Sequence, residues 1–389
     1  MKEFAPRAAA ARRSTIREVF DLANRLPGAI RLEIGEPSFP TPGHVVEAAF
    51  EAARAGFTRY TPNGGLPSLR ELLAEKIRLV DGYDVHPDQV VATPGGMNAL
   101  FSIYLALLAP GDEVLLPTPG FPNMDEMVKL LGGVPVFYEL RREEGFLPDL
   151  DRLEAVVTPR TKAIFTNSPG NPTGAVFPGE LVEALVRFAE RHDLFLIADE
   201  VYDQMVLDPE REHVASARFD EEGRVISVYS FSKIYAMTGW RLGYAVARPE
   251  LADLLRKLQE PEVSCPSTIS QKAAEAALSG PQEVVATMRD AYRERRDRAW
   301  ELLTTQGLPA FRTQGTFYMV LDVSEAGLAP HEFAMRLLSE WGVAVAPGEV
   351  FGPAGRGLVR ISLAEEPEVI EEGLGRVVDA VRALAETRS

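Results

Sequence analysis

The feature that most limits how this chain can fold is a recurrence of short apolar runs. They are Val90-Val91, Glu113 to Leu116, Val134 to Tyr138, Ala163 to Thr166, Leu194 to Ala198, Val225 to Tyr229 and Leu242 to Ala247. Runs that are apolar at nearly every position, rather than at every second one, read as strands buried on both faces. Helical patterns lie between several of them, such as Asn98 to Leu108 and Gly179 to His192. Strand and helix in alternation predict an α/β fold whose mostly parallel sheet is flanked by helices. From Pro281 to Gln306 a long, highly charged helix is expected, and after it the rhythm changes to α+β. Phe317 to Leu321 reads as a strand, Glu332 to Trp341 as a helix and Leu358 to Ser362 as a strand, so a domain boundary is expected near the long helix.

Composition removes several classes of function. With 41 Lys+Arg against 57 Asp+Glu, the formal charge of −16 offers no footprint for nucleic acid, although a local cationic pocket remains open. The 389 residues are long enough for two domains, or for one large domain with a smaller satellite. Cys265 stands alone, which forbids an intramolecular disulfide, suits a cytoplasmic setting and reads as a small buried residue. No signal peptide is apparent at the N-terminus, and the longest apolar stretch, Ile103 to Leu116, is broken by Pro110-Gly111-Asp112, so no membrane span is expected. The five histidines show no metal-ligand spacing, and no metal site is expected. Neither a G-x-x-x-x-G-K-[ST] phosphate loop nor a G-x-S-x-G elbow occurs, and Gly352 to Gly357 reads as a plain loop.

Chemistry concentrates where the expected strands end. In ATPGGMNALF, Gly95 and Gly96 precede a helix whose first N–H groups could cradle an anion, although a simple turn would look the same. In PTPGFPNM, prolines surround Phe121 and could present its ring, or form an ordinary rigid loop. NSPGNPTGAVF places Asn171 before a proline, where a cis bond would make a fixed turn and aim the amide. In LFLIADEVYDQ, Asp199 follows five apolar residues, so its carboxylate should be partly buried and in need of a partner, unless it caps a following helix. Tyr202 lies within reach of the same side. Finally, SFSKIYAMTGWRLGY sets Lys233 and Arg241 at the mouth of the core, with Ser230 beside them. In open α/β sheets ligands bind beyond the carboxyl ends of the strands. An anion cradle, an aromatic platform, an aimed amide, a buried carboxylate, a lysine and an arginine together suit a phosphorylated, protonated heteroaromatic aldehyde.

These motifs resemble those of class I aminotransferases, pyridoxal 5'-phosphate enzymes of the aspartate aminotransferase fold type. SPGNPTG, ADEVY and SFSK followed by Arg241 carry the resemblance, which runs from IGEPSFPTP to VRISLA. It implies a large cofactor-binding domain (46–285) with a seven-stranded sheet, and a small domain (286–389) joined by an N-terminal segment (1–45). Lys233 would be the Schiff-base lysine and Asp199 the partner of the ring nitrogen. Asn171 and Tyr202 would bond the ring's phenolic oxygen, and Phe121 would stack on the ring. Ser230, Arg241 and the backbone of Gly95, Gly96 and Met97 would hold the phosphate. Tyr60 would reach the phosphate of a neighbouring subunit, which implies a homodimer. Arg360 would clamp the substrate α-carboxylate, with Gly35 and Asn171 beside the substrate and Ile16 over the site as part of a lid. The implied reaction moves an amino group between an L-amino acid (aspartate, aromatic or similar) and a 2-oxo acid such as 2-oxoglutarate, by a ping-pong mechanism. Two rivals stand beside it: a C–S β-lyase of the same fold, and a non-catalytic regulatory protein. For the second, the short N-terminal segment leaves no room for a DNA-binding module, and Lys233, Asp199 and Arg360 together argue against an inert relic.

Overall fold

The computed structural model describes residues 3–11 and 13–387. A two-residue strand, β1 (Ile30–Arg31), precedes the main sheet. That sheet comprises β2 (Val90–Thr93), β3 (Glu113–Thr118), β4 (Val134–Glu139), β5 (Thr161–Asn167), β6 (Phe195–Asp199), β7 (Val225–Ser230) and β8 (Gly243–Val246). It is seven-stranded, in the order β2-β8-β7-β6-β5-β3-β4. All neighbours pair in parallel except β8, which runs antiparallel to β2 and β7. Each of the seven recurring apolar runs between Val90 and Ala247 therefore lies in this sheet.

Alternation along each strand explains why both faces are apolar. Phe165, Ile197 and Val228 pack on one face with Ala99, Leu100 and Ile103 of the helix Gly96–Leu107. Ile164 and Leu196, one residue away in their strands, and Val225, three residues away in its own, pack on the other with Val182, Leu185 and Val186 of the helix Gly179–Arg191. A half-polar strand could not satisfy both layers.

Beyond the helix Glu283–Gln306 come β9 (Tyr318–Asp322), β10 (Val343–Ala344), β11 (Ala346–Pro347) and β12 (Leu358–Ser362). The antiparallel order β11-β12-β9 forms a second sheet, and β1 pairs in parallel with β10. The N-terminal segment is thus stitched to the C-terminal part by backbone hydrogen bonds. Strands of two residues carry no periodicity, which is why β1, β10 and β11 escaped the sequence reading. The tract from Gly352 to Gly357 is a connection, as read, and contains a 3₁₀ turn, Pro353–Gly355. One local expectation fails. Cys265 is half-buried rather than buried, because it follows Ser264, whose φ of 63° breaks the chain between two helices. No helix among the described residues is long and apolar enough to cross a membrane.

A buried ion cluster supports the turn after β6. Lys76 ends the helix Pro67–Lys76, and its Nζ binds Asp81 at 2.9 Å, binds Asp203 as well, and sits 4.6 Å from the Tyr229 ring centroid. Burial by itself would lower the Lys76 pKa, but attraction to Asp203, Tyr244 and Asp81 raises it well above the usual value. Removing that cation strands two buried carboxylates. Lys76→Met should therefore lose about 3–5 kcal/mol of stability in urea unfolding. A loss below about 1 kcal/mol would show that the cluster does not support the fold.

Candidate active site

The carboxyl ends of β5, β6 and β7 open into a cavity of about 430 Å³. It is lined by Gly35, Gly96, Met97, Phe121, Asn171, Asp199, Tyr202, Ser230, Lys233, Arg241 and Arg360, all singled out from sequence. Residues distant in sequence meet there because parallel strands deliver their carboxyl ends to one edge.

Asp199 is the last residue of β6, and a turn follows it rather than a helix, so it is not an N-cap. It is buried, and its Oδ1 has no hydrogen-bond partner among the described residues. Burial pushes its pKa up to about 7; a bond from the Val201 N–H works against this, Glu200 adds to it, and Lys233 opposes it. Asn167 fixes the backbone around it, donating from Nδ2 to Asp199 O at 2.9 Å and accepting from the Asn171 N–H at 2.7 Å. The Asn171–Pro172 bond is cis, as expected, and so are Thr118–Pro119 and Ser168–Pro169.

Arg360, on β12, enters the cavity from the second sheet. Its Nη1 donates to Asn171 Oδ1 at 3.0 Å and its Nη2 to Glu33 O at 2.8 Å. The acceptor role of Oδ1 leaves the two Nδ2 donors of Asn171 for other partners. Arg360 is itself buried, and its Nε has no partner among the described residues. Burial lowers its pKa, while Tyr318, Tyr202 and Glu33 counteract this. Lys233 lies on the short helix Phe231–Ile234, and its Nζ donates to Gly35 O at 2.5 Å.

At the opposite end, the helix Gly96–Leu107 begins under Arg241. Gly95 has φ of 84°, which favours glycine, and a Cβ there would lie 2.8 Å from the Arg241 guanidinium and push it aside. Its own N–H already bonds Thr93 O at 2.6 Å. The expectation that Gly95 donates to an anion is thereby corrected: at this helix start the N–H groups without a partner among the described residues are those of Gly96 and Met97. Ser230 Oγ accepts from the Ser232 N–H at 3.1 Å, and the exposed Arg241 donates to Thr238 O at 2.7 Å.

Two residues lie apart from this set. Ile16 is half-buried on the helix Thr15–Ala23, which packs on the helix Pro330–Trp341, and it does not line the cavity. Tyr60 is 89 % exposed and also lies outside it. Conversely, Tyr318 and Asn167 line the cavity without having been singled out. A tyrosine near the start of the expected strand Phe317 to Leu321 is the only sequence signal for Tyr318; its place two positions from the register partner of Arg360 is set by the fold.

A buried carboxylate oxygen without a partner, a lysine, free N–H groups at a helix start and a guanidinium beside them fit one cofactor, pyridoxal phosphate. Its ring nitrogen matches the first and its phosphate the last two. Such a set on this fold defines a pyridoxal-phosphate enzyme. The family model for class I and II aminotransferases matches residues 27–377. An aspartate/prephenate aminotransferase of Thermus thermophilus is 44% identical over 351 residues, 89% of each chain. Aromatic-amino-acid aminotransferase 2 of Thermococcus litoralis is 39% identical over 367 residues, 94% of each. The solved Thermus thermophilus aspartate aminotransferase with maleate superposes with a TM-score of 0.93 at 41% identity, covering 98% of this chain and 100% of the other. This chain belongs to the class I and II aminotransferases, and it is a pyridoxal-phosphate-dependent transaminase.

The Asp199 environment makes a prediction for the cofactor-free protein. Folding raises its pKa from 3.8 to about 7, so the carboxyl is tolerated when protonated and costs stability as pH rises through that window. Asp199→Asn removes this titration and leaves in place that of Asp81, whose pKa burial also pushes up to about 7. The stability of cofactor-free Asp199→Asn relative to wild type should rise by about 2 kcal/mol between about pH 5 and about pH 8. A difference that does not change with pH would mean that Asp199 is not held in this state.

Proposed function

We propose that this transaminase moves the amino group of an L-amino acid (aspartate, aromatic or similar) to a 2-oxo acid, with 2-oxoglutarate as acceptor, in two half-reactions at one site. The observation that carries the reading is the convergence of Lys233, the unpartnered Asp199 oxygen and the unpartnered Arg360 Nε on one cavity. The names of the relatives, which include aspartate, prephenate and aromatic aminotransferases, support the substrate classes.

When bound, pyridoxal phosphate supplies an aldehyde that takes up the amino group and a protonated ring that draws electrons from the substrate Cα. Asp199 would hold the proton on the ring nitrogen, and Asn171 Nδ2 and the Tyr202 hydroxyl would donate to the phenolic oxygen. Phe121 would cover one face of the ring. The N–H groups of Gly96 and Met97, with Ser230 and Arg241, would hold the phosphate. Arg360 grips the α-carboxylate through a planar fork, which orients the Cα–H bond beside Gly35. With the cofactor bound, Lys233 Nζ would act as the base that accepts the proton from the substrate Cα and as the acid that gives it up again. Tyr60, exposed on its own chain, serves the phosphate of a second subunit, and the active unit is a homodimer. The division into segments 1–45, 46–285 and 286–389 and a cytoplasmic location belong to the same reading.

Adding L-glutamate without oxo acid should replace the near-visible cofactor band by the shorter-wavelength band of the aminated form. Full kinetics should give parallel double-reciprocal lines, and intersecting lines would reject two separate half-reactions. Pyruvate release from cysteine-type substrates without band conversion would favour the β-lyase. Lys233→Ala should retain cofactor binding and lose turnover by about a thousandfold or more; near-normal turnover would reject the assigned base. Refolding Tyr60→Ala together with Lys233→Ala should regain up to about a quarter of native activity, because mixed dimers restore one site. No recovery above the separate variants would reject a shared site.

A further inference from the structure

Tyr318 lines the cavity, is buried, and is used by none of the steps above. It opens β9 opposite Ser362 of β12, while Arg360 stands opposite Val320. Tyr318 and Arg360 are therefore diagonal neighbours on one face of the sheet. As a result the Arg360 guanidinium carbon lies 4.2 Å from the Tyr318 ring centroid, with the Phe351 ring at 5.2 Å. At the other end of the ring, the Tyr318 hydroxyl accepts from the Tyr202 hydroxyl at 3.3 Å. That hydroxyl also abuts the N-terminal segment: a Cβ on Gly35 would overlap it. Close approach by Tyr318 is thus the reason glycine is needed at position 35, whose carbonyl receives Lys233.

We propose that Tyr318 is a positioning residue that joins the carboxylate-binding arginine to the cofactor-facing phenol, its ring serving as a platform for Arg360 and its hydroxyl as the partner of Tyr202. This inference rests on the roles given above to Arg360 and Tyr202. The two parts are chemically separable. A π-face attracts a buried guanidinium that has few other neighbours. A phenol that receives a hydrogen bond becomes a stronger donor in its turn. Burial, reinforced by Tyr318, keeps the Tyr202 phenol protonated well above its usual range. When Tyr202 directs its O–H to the cofactor's phenolic oxygen, Tyr318 can rotate its own O–H onto the Tyr202 oxygen without moving a heavy atom. Loss of the Tyr318 hydroxyl weakens that chain and leaves the cofactor oxygen more basic.

The test uses the holoenzyme in its pyridoxal form and follows the pH titration of the cofactor band. Tyr318→Phe keeps the ring and should raise the midpoint by about half a pH unit. In a Tyr202→Phe background the same substitution should produce no shift, since the chain is already cut. The saturation constant for an amino donor, read from single-turnover conversion of the band, should stay within about twofold in Tyr318→Phe and rise about tenfold in Tyr318→Leu. An unchanged midpoint in Tyr318→Phe, or the same shift in both backgrounds, overturns the proposal. If Tyr318→Leu fails to fold, the phenylalanine cycle decides alone. Wild-type protein that shows no titrating band after pyridoxal phosphate is added would instead overturn the underlying assignment of the site.

Discussion

The site depends above all on how a buried arginine finds its acceptors. Arg360 leaves water at a cost that only hydrogen bonds and aromatic contact offset. Its bonds go to Asn171, from the turn after β5, and to the carbonyl of Glu33, from the N-terminal segment. One guanidinium therefore holds together three stretches of chain that belong to different layers. The pairing of β1 with β10 secures the same junction through the backbone. Glu33, fully buried, is in turn paired with Arg31 at 2.5 Å. Displacing any of these partners would move the arginine relative to the sheet that carries Asp199.

A second electrostatic feature complements the first. Asp199 and Tyr202 face the cavity, whereas Glu200 and Asp203, between and after them, turn to the other side. There Asp203 meets Lys76, and Glu200 Oε1 accepts from the Ser216 N–H at 2.8 Å. A single short turn thus presents reactive groups on one side and is anchored by ions and hydrogen bonds on the other. Groups that must hold position within a fraction of an ångström benefit from such rigid support.

Much of this was readable in the residue order. The apolar runs named the strands because a strand covered on both faces tolerates few polar positions. The proline- and glycine-rich turns marked the carboxyl ends, and the special residues in them converge as expected. What escaped has physical reasons. Strands β1, β10 and β11 are held by pairing alone and are too short to show a period. Gly95 looked like an anion donor, but its N–H is consumed by Thr93, which only the local fold reveals. Ile16 looked like part of a lid, but helix packing places it away from the cavity.

By itself the sequence determined the layered α/β architecture, the positions of the strand ends and the chemistry available there, because burial and turn formation are local demands on residue type. Tertiary structure decided which groups remain unpartnered, since that depends on neighbours supplied by distant segments. Asp199 keeps a free oxygen because Asn167 bonds its backbone rather than its carboxylate. Tyr318 meets both Arg360 and Tyr202 because an antiparallel register, invisible in residue order, sets β9 diagonally against β12.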